Sequence, residues 1–299
     1  MSMPPSNLSW RAIVFVAFCI SLGAWLNASP DESGEKAGAA AVPLAHFRAS
    51  SARASSSGLA DARHSNSSAL AGAGNSHSLP PGAALYHAGE APLPAWCTAE
   101  ALRGSLFRSE ELALFASRIA GARRYFEWGA GSSTVLAAAA GVESLTTVDT
   151  VPGALECVLA HGAVKKVREL APVLVDINSD PDNWGHPRDA SRAAHFPSVS
   201  DMVRSVVVDA VALDVVYVDG RFRGACLLKA ASVVSDNCTI LVHDWERAEY
   251  QRAAAEGGAL VLVEVAGRLA ALRRGAGAAA LSPRDWEVLF AKYEARATR

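Results

Sequence analysis

In "RYFEWGAGSST", residues 124 to 134, a carboxylate, two glycines and three hydroxyl residues fall within eight positions. Glu127 closes an aromatic-rich run. Gly129 and Gly131 carry no Cβ to hold a ligand away from the backbone. Ser132, Ser133 and Thr134 then open a segment whose N-terminal N–H groups would point at whatever binds there. Acids recur further along, at Asp149, Asp176, Asp219 and the pair His243–Asp244. Asp149 follows the glycines by about 20 residues, a spacing that suits a carboxylate meeting ribose hydroxyls. His243 titrates near neutrality and is the candidate general base. Asp219 and Asp244 offer oxygen ligands that a divalent metal ion would share. Arg221 and Arg223 suit bidentate binding of a carboxylate or phosphate on a substrate. Trp245, like Trp184, offers a face for a sugar or ring to stack on.

These residues need elements to position them, and the chain alternates strand and helix from Trp96 onward. "RYFEW", "SLTTVD", "APVLVDI", "LDVVYVDG" and "CTILVHDW" read as strands, and the segments between them carry helical spacing. "SEELALFASRIAG" precedes them as a helix with Ser109 as its cap, and "SPRDWEVLFAKYEAR" closes the chain as another. "ALVLVEVAGRLAALRR" splits at Gly267 into a β-hairpin. Such alternation predicts a parallel sheet covered on both faces, with ligands beyond the carboxyl ends of its strands. Every candidate polar residue falls at or near such an end. His186 and His195 lie in a long polar loop that would form part of a lid over the substrate.

A pyrophosphate in the glycine turn calls for a third glycine and no carboxylate. Thr134 stands at the third-glycine position and Glu127 stands close by, so a ligand carrying positive charge fits better than a dinucleotide.

The first third of the chain reads differently. Residues 12–26, "AIVFVAFCISLGAWL", are continuously apolar, short for a full bilayer span, preceded by Arg11 and followed by acids. They read as a signal anchor, or as a cleaved signal peptide, behind a cytosolic tail at 1–11. Residues 27–94 are rich in Ala, Ser, Gly and Pro without an apolar period and read as a disordered stem, with a glycosylation acceptor pattern at Asn66. The folded domain is then 95–299. This layout predicts a type II membrane protein of the secretory pathway, of Golgi type, or a secreted one. The net charge of −2 gives no sign of a nucleic-acid partner. Of five cysteines, none forms a CxxC; Cys97, Cys157, Cys226 and Cys238 read as buried free thiols, with disulfides open in a secretory setting.

With these residues in order, the sequence resembles the class I S-adenosylmethionine-dependent methyltransferases over about residues 100 to 275. "FEWGAGSST" looks like their acidic-Gly-x-Gly motif, "VD" at 148–149 like their ribose-binding acid, and "DVVYVDG" like their fourth-strand motif. The resemblance implies an α/β, Rossmann-like, doubly wound sheet of seven strands with the last antiparallel. It implies S-adenosylmethionine as cofactor, with Glu127, Gly129, Gly131, Ser132, Ser133, Asp149, Asp176 and Asp219 around it. Glu127 and Gly129 would face its amino-acid end and Asp176 its adenine side. Some sugar and catechol O-methyltransferases, which the 219–244 stretch is similar to, hold magnesium or another divalent ion between such acids. His243, Asp219 and Asp244 would then be catalytic, and Arg221, Arg223 and Trp245 would bind the acceptor. The acceptor expected is an oxygen of a glycan or small acidic metabolite. Alternatives are a glycosyltransferase, with "DPD" at 180–182 as its metal motif, a non-catalytic methyltransferase-like module, and an NAD-dependent dehydrogenase, which Glu127 and the missing third glycine disfavour.

Overall fold

The computed structural model describes residues 79–102, 107–206 and 212–294. Residues 12–26 and Asn66 lie outside them. Strands are β1 (Ala83–Leu85), β2 (Arg124–Trp128), β3 (Ser144–Asp149), β4 (Glu169–Val175), β5 (Ser179–Asp180), β6 (His186–Pro187), β7 (Val215–Val218), β8 (Thr239–Val242), β9 (Leu260–Ala266) and β10 (Leu269–Arg274). Helices are α1 (Ala99–Leu102), α2 (Ser109–Ile119), α3 (Ser132–Ala139), α4 (Pro152–Ala160), α5 (Phe196–Val206), α6 (Arg223–Val233), α7 (Ala248–Ala255), α8 (Ala276–Ala280) and α9 (Pro283–Glu294).

Among the described residues the main sheet has eight strands, in the order β1-β4-β3-β2-β7-β8-β10-β9. β4, β3, β2, β7 and β8 run parallel. β10 is antiparallel to β8, and β9 to β10, as the split at Gly267 predicts. β5 and β6 form a separate two-stranded hairpin inside the polar loop.

The central strands are buried on both faces, which is why β7 and β8 read as nearly unbroken apolar runs. Phe126, Trp128, Val216, Val218, Ile240 and Val242 pack on one side with α5 and α6. Tyr125, Leu145, Tyr217 and Leu241 pack on the other with α2 and α3. The Trp128 indole N–H donates to the Val199 carbonyl at 2.6 Å, joining the end of β2 to α5.

Three expectations are corrected here. The sheet has an eighth strand, β1, inside the stretch read as disordered stem. "AAL" has no pattern of its own; it is ordered by antiparallel pairing with β4. Nearby, Tyr86 donates to Glu156 at 3.0 Å, and the Gly89 N–H donates to the same carboxylate. Second, Ser109 does not cap α2. Glu111 does, accepting the Arg108 N–H at 2.9 Å. Third, the type II membrane placement in the secretory pathway does not stand. Among the described residues no helix is long and apolar enough to cross a membrane.

The thiol expectation holds for Cys226 and Cys238, which are buried and free. Cys97 and Cys157 instead form a disulfide across a sequence separation of 60, tying the segment after β1 to α4. Closing a loop of that length removes unfolded-state entropy equivalent to roughly 4 kcal/mol. The double variant Cys97→Ser/Cys157→Ser should therefore unfold at lower denaturant than the oxidised protein. Addition of a dithiol reductant should lower the oxidised protein's midpoint to that of the variant and leave the variant's own midpoint unchanged.

Candidate active site

The parallel register places Val148, Trp128, Val218 and Val242 level with one another across β3, β2, β7 and β8. The next residue of each strand is therefore level too: Asp149, Gly129, Asp219 and His243 form a row along the carboxyl edge of the sheet. Backbone bonds carry the ladder into that row, from the Gly129 N–H to Val148 (2.8 Å), from Asp219 to Trp128 (2.9 Å) and from His243 to Val218 (3.2 Å). Gly129 has φ +99°, and a Cβ there would lie 2.9 Å from the Asp219 carbonyl carbon and the Gly220 nitrogen. Only glycine lets the two loops touch backbone to backbone. A Cβ built on Gly131 meets nothing within 4 Å, so the glycine turn is open on that side.

Glu127 does not line this opening, a correction to the expected cofactor contact. It stands two residues before Gly129, level with Thr147 and Tyr217, and its side chain is fully buried. Tyr125 (2.9 Å), Ser133 (2.7 Å) and Thr134 donate their hydroxyls to it. Thr134 also accepts the Gly131 N–H at 2.9 Å. A relay thus runs from Gly131 through Thr134 to Glu127, and it explains a threonine where a third glycine is common. Ser133 is spent on the same knot. Ser132 is buried at the start of α3. Burial pushes the Glu127 carboxyl up to about 7, against the pull of its hydroxyl donors.

Asp149 is only half-buried and reaches the turn from the other side. One oxygen accepts the N–H groups of Thr150 (2.6 Å) and Val151 (2.8 Å), and the other that of Ala130 (2.7 Å). A carboxylate has about four lone-pair sites, so one remains for a ligand hydroxyl. Asp176, by contrast, stands in solvent, caps the Asn178 N–H at 3.0 Å and pairs with Arg192 at 3.3 Å. It does not join the row.

At the other end of the row the acids and bases answer one another. Arg223 pairs with Asp219 (2.7 Å) and Asp244 (3.1 Å) and donates to the carbonyls of Gly220 and His243. Asp244 also takes Arg247 (3.0 Å) and Arg268 (3.2 Å). Burial alone would raise the Asp219 carboxyl, but the Arg223 guanidinium and the His243 ring hold it below the usual carboxylate range. The position where a divalent ion would bridge Asp219 and Asp244 is filled by Arg223. Among the described residues no group of three or more His, Cys, Asp or Glu gathers to hold a metal ion. The donor set does not fit the expected cation.

His243 sits with Nδ1 3.5 Å from both Asp219 and Asp244 and with Nε2 3.6 Å from the buried Glu111. Burial opposes the charged ring, but the carboxylates outweigh it and raise its pKa above the ordinary histidine value. That arrangement favours imidazolium over the neutral ring a base needs. Nothing in the sequence marks Glu111 apart from any other acid in a first helical turn.

The substrate candidates divide. Arg223 is consumed by ion pairs, and Trp245 is buried in the core rather than facing a ring. Arg221 touches His186 of the β5–β6 hairpin. His195 meets the Asp176 carbonyl. Asp180 caps the Asp182 N–H at 3.2 Å and pairs with Arg188 at 3.1 Å, while Asp182 is exposed, so "DPD" does not assemble the metal motif of a glycosyltransferase.

No family model and no curated protein matches the sequence. Among solved structures, a methyltransferase-like protein from Silicibacter pomeroyi is similar at 25% identity, over 63% of this chain and 95% of its own, with a TM-score of 0.51. The chain has the class I S-adenosylmethionine-dependent methyltransferase fold. A ribosomal protein L11 methylase from Lactobacillus delbrueckii subsp. bulgaricus is also similar, at 13% identity over 56% of this chain and 80% of its own, with a TM-score of 0.37. The stretches that resemble methyltransferase motifs fall on β2 and α3, at the end of β3 and on β7.

The Glu127 knot makes stability pH-dependent. Folded Glu127 keeps its proton up to about 7, whereas the ordinary value is 4.5. The folded state therefore binds more protons between those values, and Glu127 costs stability as pH rises through them, by about 3 kcal/mol in all. Urea unfolding across this range should show Glu127→Gln gaining on the wild type as pH rises. A constant difference between the two would contradict the assignment.

Proposed function

We propose that this chain binds S-adenosylmethionine at the row of Gly129, Asp149 and Asp219 and transfers its methyl group to an oxygen of an acidic acceptor, a small metabolite or an acid-bearing glycan. The observation that carries the reading is that row, set beside a glycine turn open at Gly131. The residues fit the cofactor. Gly129 and Gly131 admit it against the backbone, and the N-terminus of α3 lies behind them. Asp149 keeps one acceptor site for a ribose hydroxyl. Asp219, still partly exposed, lays negative charge beside Gly129, where a cationic ligand is favoured.

When bound, the cofactor supplies an electrophilic methyl group on a sulfonium. The chain's own contribution is position: holding donor and acceptor in line can contribute roughly 7–11 kcal/mol of the barrier. With His243 engaged by carboxylates, the acceptor best served is one already ionised at neutral pH. A carboxylate oxygen meets that condition, and its methylation needs no proton removed. No divalent ion enters this scheme, because Arg223 bridges the two acids in its place.

The same His243 environment favours a second reading, a module that binds the cofactor without catalysis. Calorimetry with S-adenosylhomocysteine addresses what both share, and transfer of labelled methyl to acid acceptors separates them. The wild type should bind the product-like ligand, and Asp149→Ala should weaken binding roughly tenfold, one charge-assisted hydrogen bond's worth. No measurable heat with the wild type would sink both readings.

A further inference from the structure

The arginines along this edge are neutralised with one exception. Arg223, Arg247 and Arg268 all reach Asp244, and Arg223 also takes Asp219. Arg221 forms no ion pair with a carboxylate among the described residues; its Nη1 donates to Nε2 of His186. That ring is kept neutral by burial and by the charges of Arg221 and Arg247. An acceptor without charge orients a guanidinium but does not cancel it. Arg221 is itself partly buried, and burial together with the Arg223 charge pulls its pKa down by more than Asp219 and Asp149 push it up, so an incoming anion would offset part of the cost of burying it.

The partner of Arg221 is on a platform. The β5–β6 hairpin is braced by the Arg188–Asp180 pair. It rests on the turn that follows Asp149: a Cβ on Gly185 would lie 3.1 Å from Val151 Cγ2 and 3.2 Å from Thr150 Oγ1. At its tip Trp184 is 78% exposed and sits at φ +52°, a left-handed conformation that a bulky residue adopts only when its surroundings impose it. Trp184 is two residues from His186, so their Cα atoms are within about 7 Å. A charge left open and an indole held out in water therefore stand beside the ribose acid of the cleft.

We propose that Arg221, gripped by His186, is the anion-binding group of the acceptor site, and that the acceptor is a ring-bearing carboxylic acid whose ring lies against Trp184. The proposal rests on the reading of the cleft as a cofactor site and names what is bound next to it. The same chemistry has two sources, a uronic acid or an aromatic acid, and the cofactor's own carboxylate is a third claimant to Arg221.

The test uses the full chain, with and without S-adenosylhomocysteine, and follows binding by calorimetry and tryptophan fluorescence. The probes are glucuronate and 4-hydroxybenzoate, each against its neutral amide. At least one acid should bind with its amide roughly tenfold weaker or more, the acid that binds identifying the source. Arg221→Met should remove the preference for acid, and Trp184→Ala should weaken acid and amide alike. Both variants should bind S-adenosylhomocysteine as the wild type does, which also checks that they fold. The proposal is overturned if acid and amide bind equally, or if neither acid binds up to about 10 mM. It is also overturned if Arg221→Met weakens S-adenosylhomocysteine but not methylthioadenosine, since that assigns Arg221 to the cofactor. Loss of S-adenosylhomocysteine binding in the wild type would instead strike the cofactor reading, and the acid arms without that ligand are still read.

Discussion

A carboxylate sealed inside the sheet holds the ligand edge in shape. Glu127 gathers three hydroxyls, two of them from the first turn of α3, and through Thr134 it reaches the backbone of Gly131. A charge in that place is expensive unless every lone pair is used. The hydroxyls therefore have little freedom, and neither has the turn they belong to. Once the turn is set, Gly129 can press against the loop after β7, and the open side of Gly131 faces outward. The acid of the first motif thus shapes the backbone turn from the interior instead of lining the cleft.

A second arrangement follows from crowding. Parallel strands in register bring Asp219 and His243 to the same level, with Asp244 and Glu111 close behind. So many acids in one place need cations, and the chain provides its own in Arg223, Arg247 and Arg268. Arg223 occupies the place between Asp219 and Asp244, and the surrounding carboxylates raise the His243 pKa above the ordinary histidine value. The pairing also leaves Arg221 as an arginine of this edge that forms no ion pair among the described residues, its guanidinium meeting His186 instead.

Much of the architecture was legible from the chain alone. Strands buried on both faces leave continuous apolar runs, and β7 and β8 were readable for that reason, while β2 and β3 were readable from their aromatic and β-branched residues. The hairpin of β9 and β10 was readable because Gly267 breaks one long run in two. β1 was not, since two alanines and a leucine carry no pattern and depend on β4, Glu156 and a disulfide to be ordered. At the site, position along the sequence correctly put Asp149 and Asp219 at strand ends. It could not tell that Asp176, placed similarly, turns into solvent, because that depends on Asn178 and Arg192 folding back on it.

The residues by themselves determined that a parallel α/β sheet would form and that its carboxyl edge would carry glycines and acids, because periodicity and strand length are local properties of the chain. Which of those acids stands open at the edge was decided only in three dimensions. Glu127 stands only two residues before Gly129 on the same face of its strand, yet the hydroxyls of Tyr125, Ser133 and Thr134 close over it, whereas Gly129, Asp149 and Asp219 stand beyond it at the strand ends. The partners that neutralise Asp244 come from α6, from the turn before α7 and from the β9–β10 turn, and no linear pattern joins them. Charge compensation between distant segments is a property of the folded surface, and it is what assigned the remaining roles.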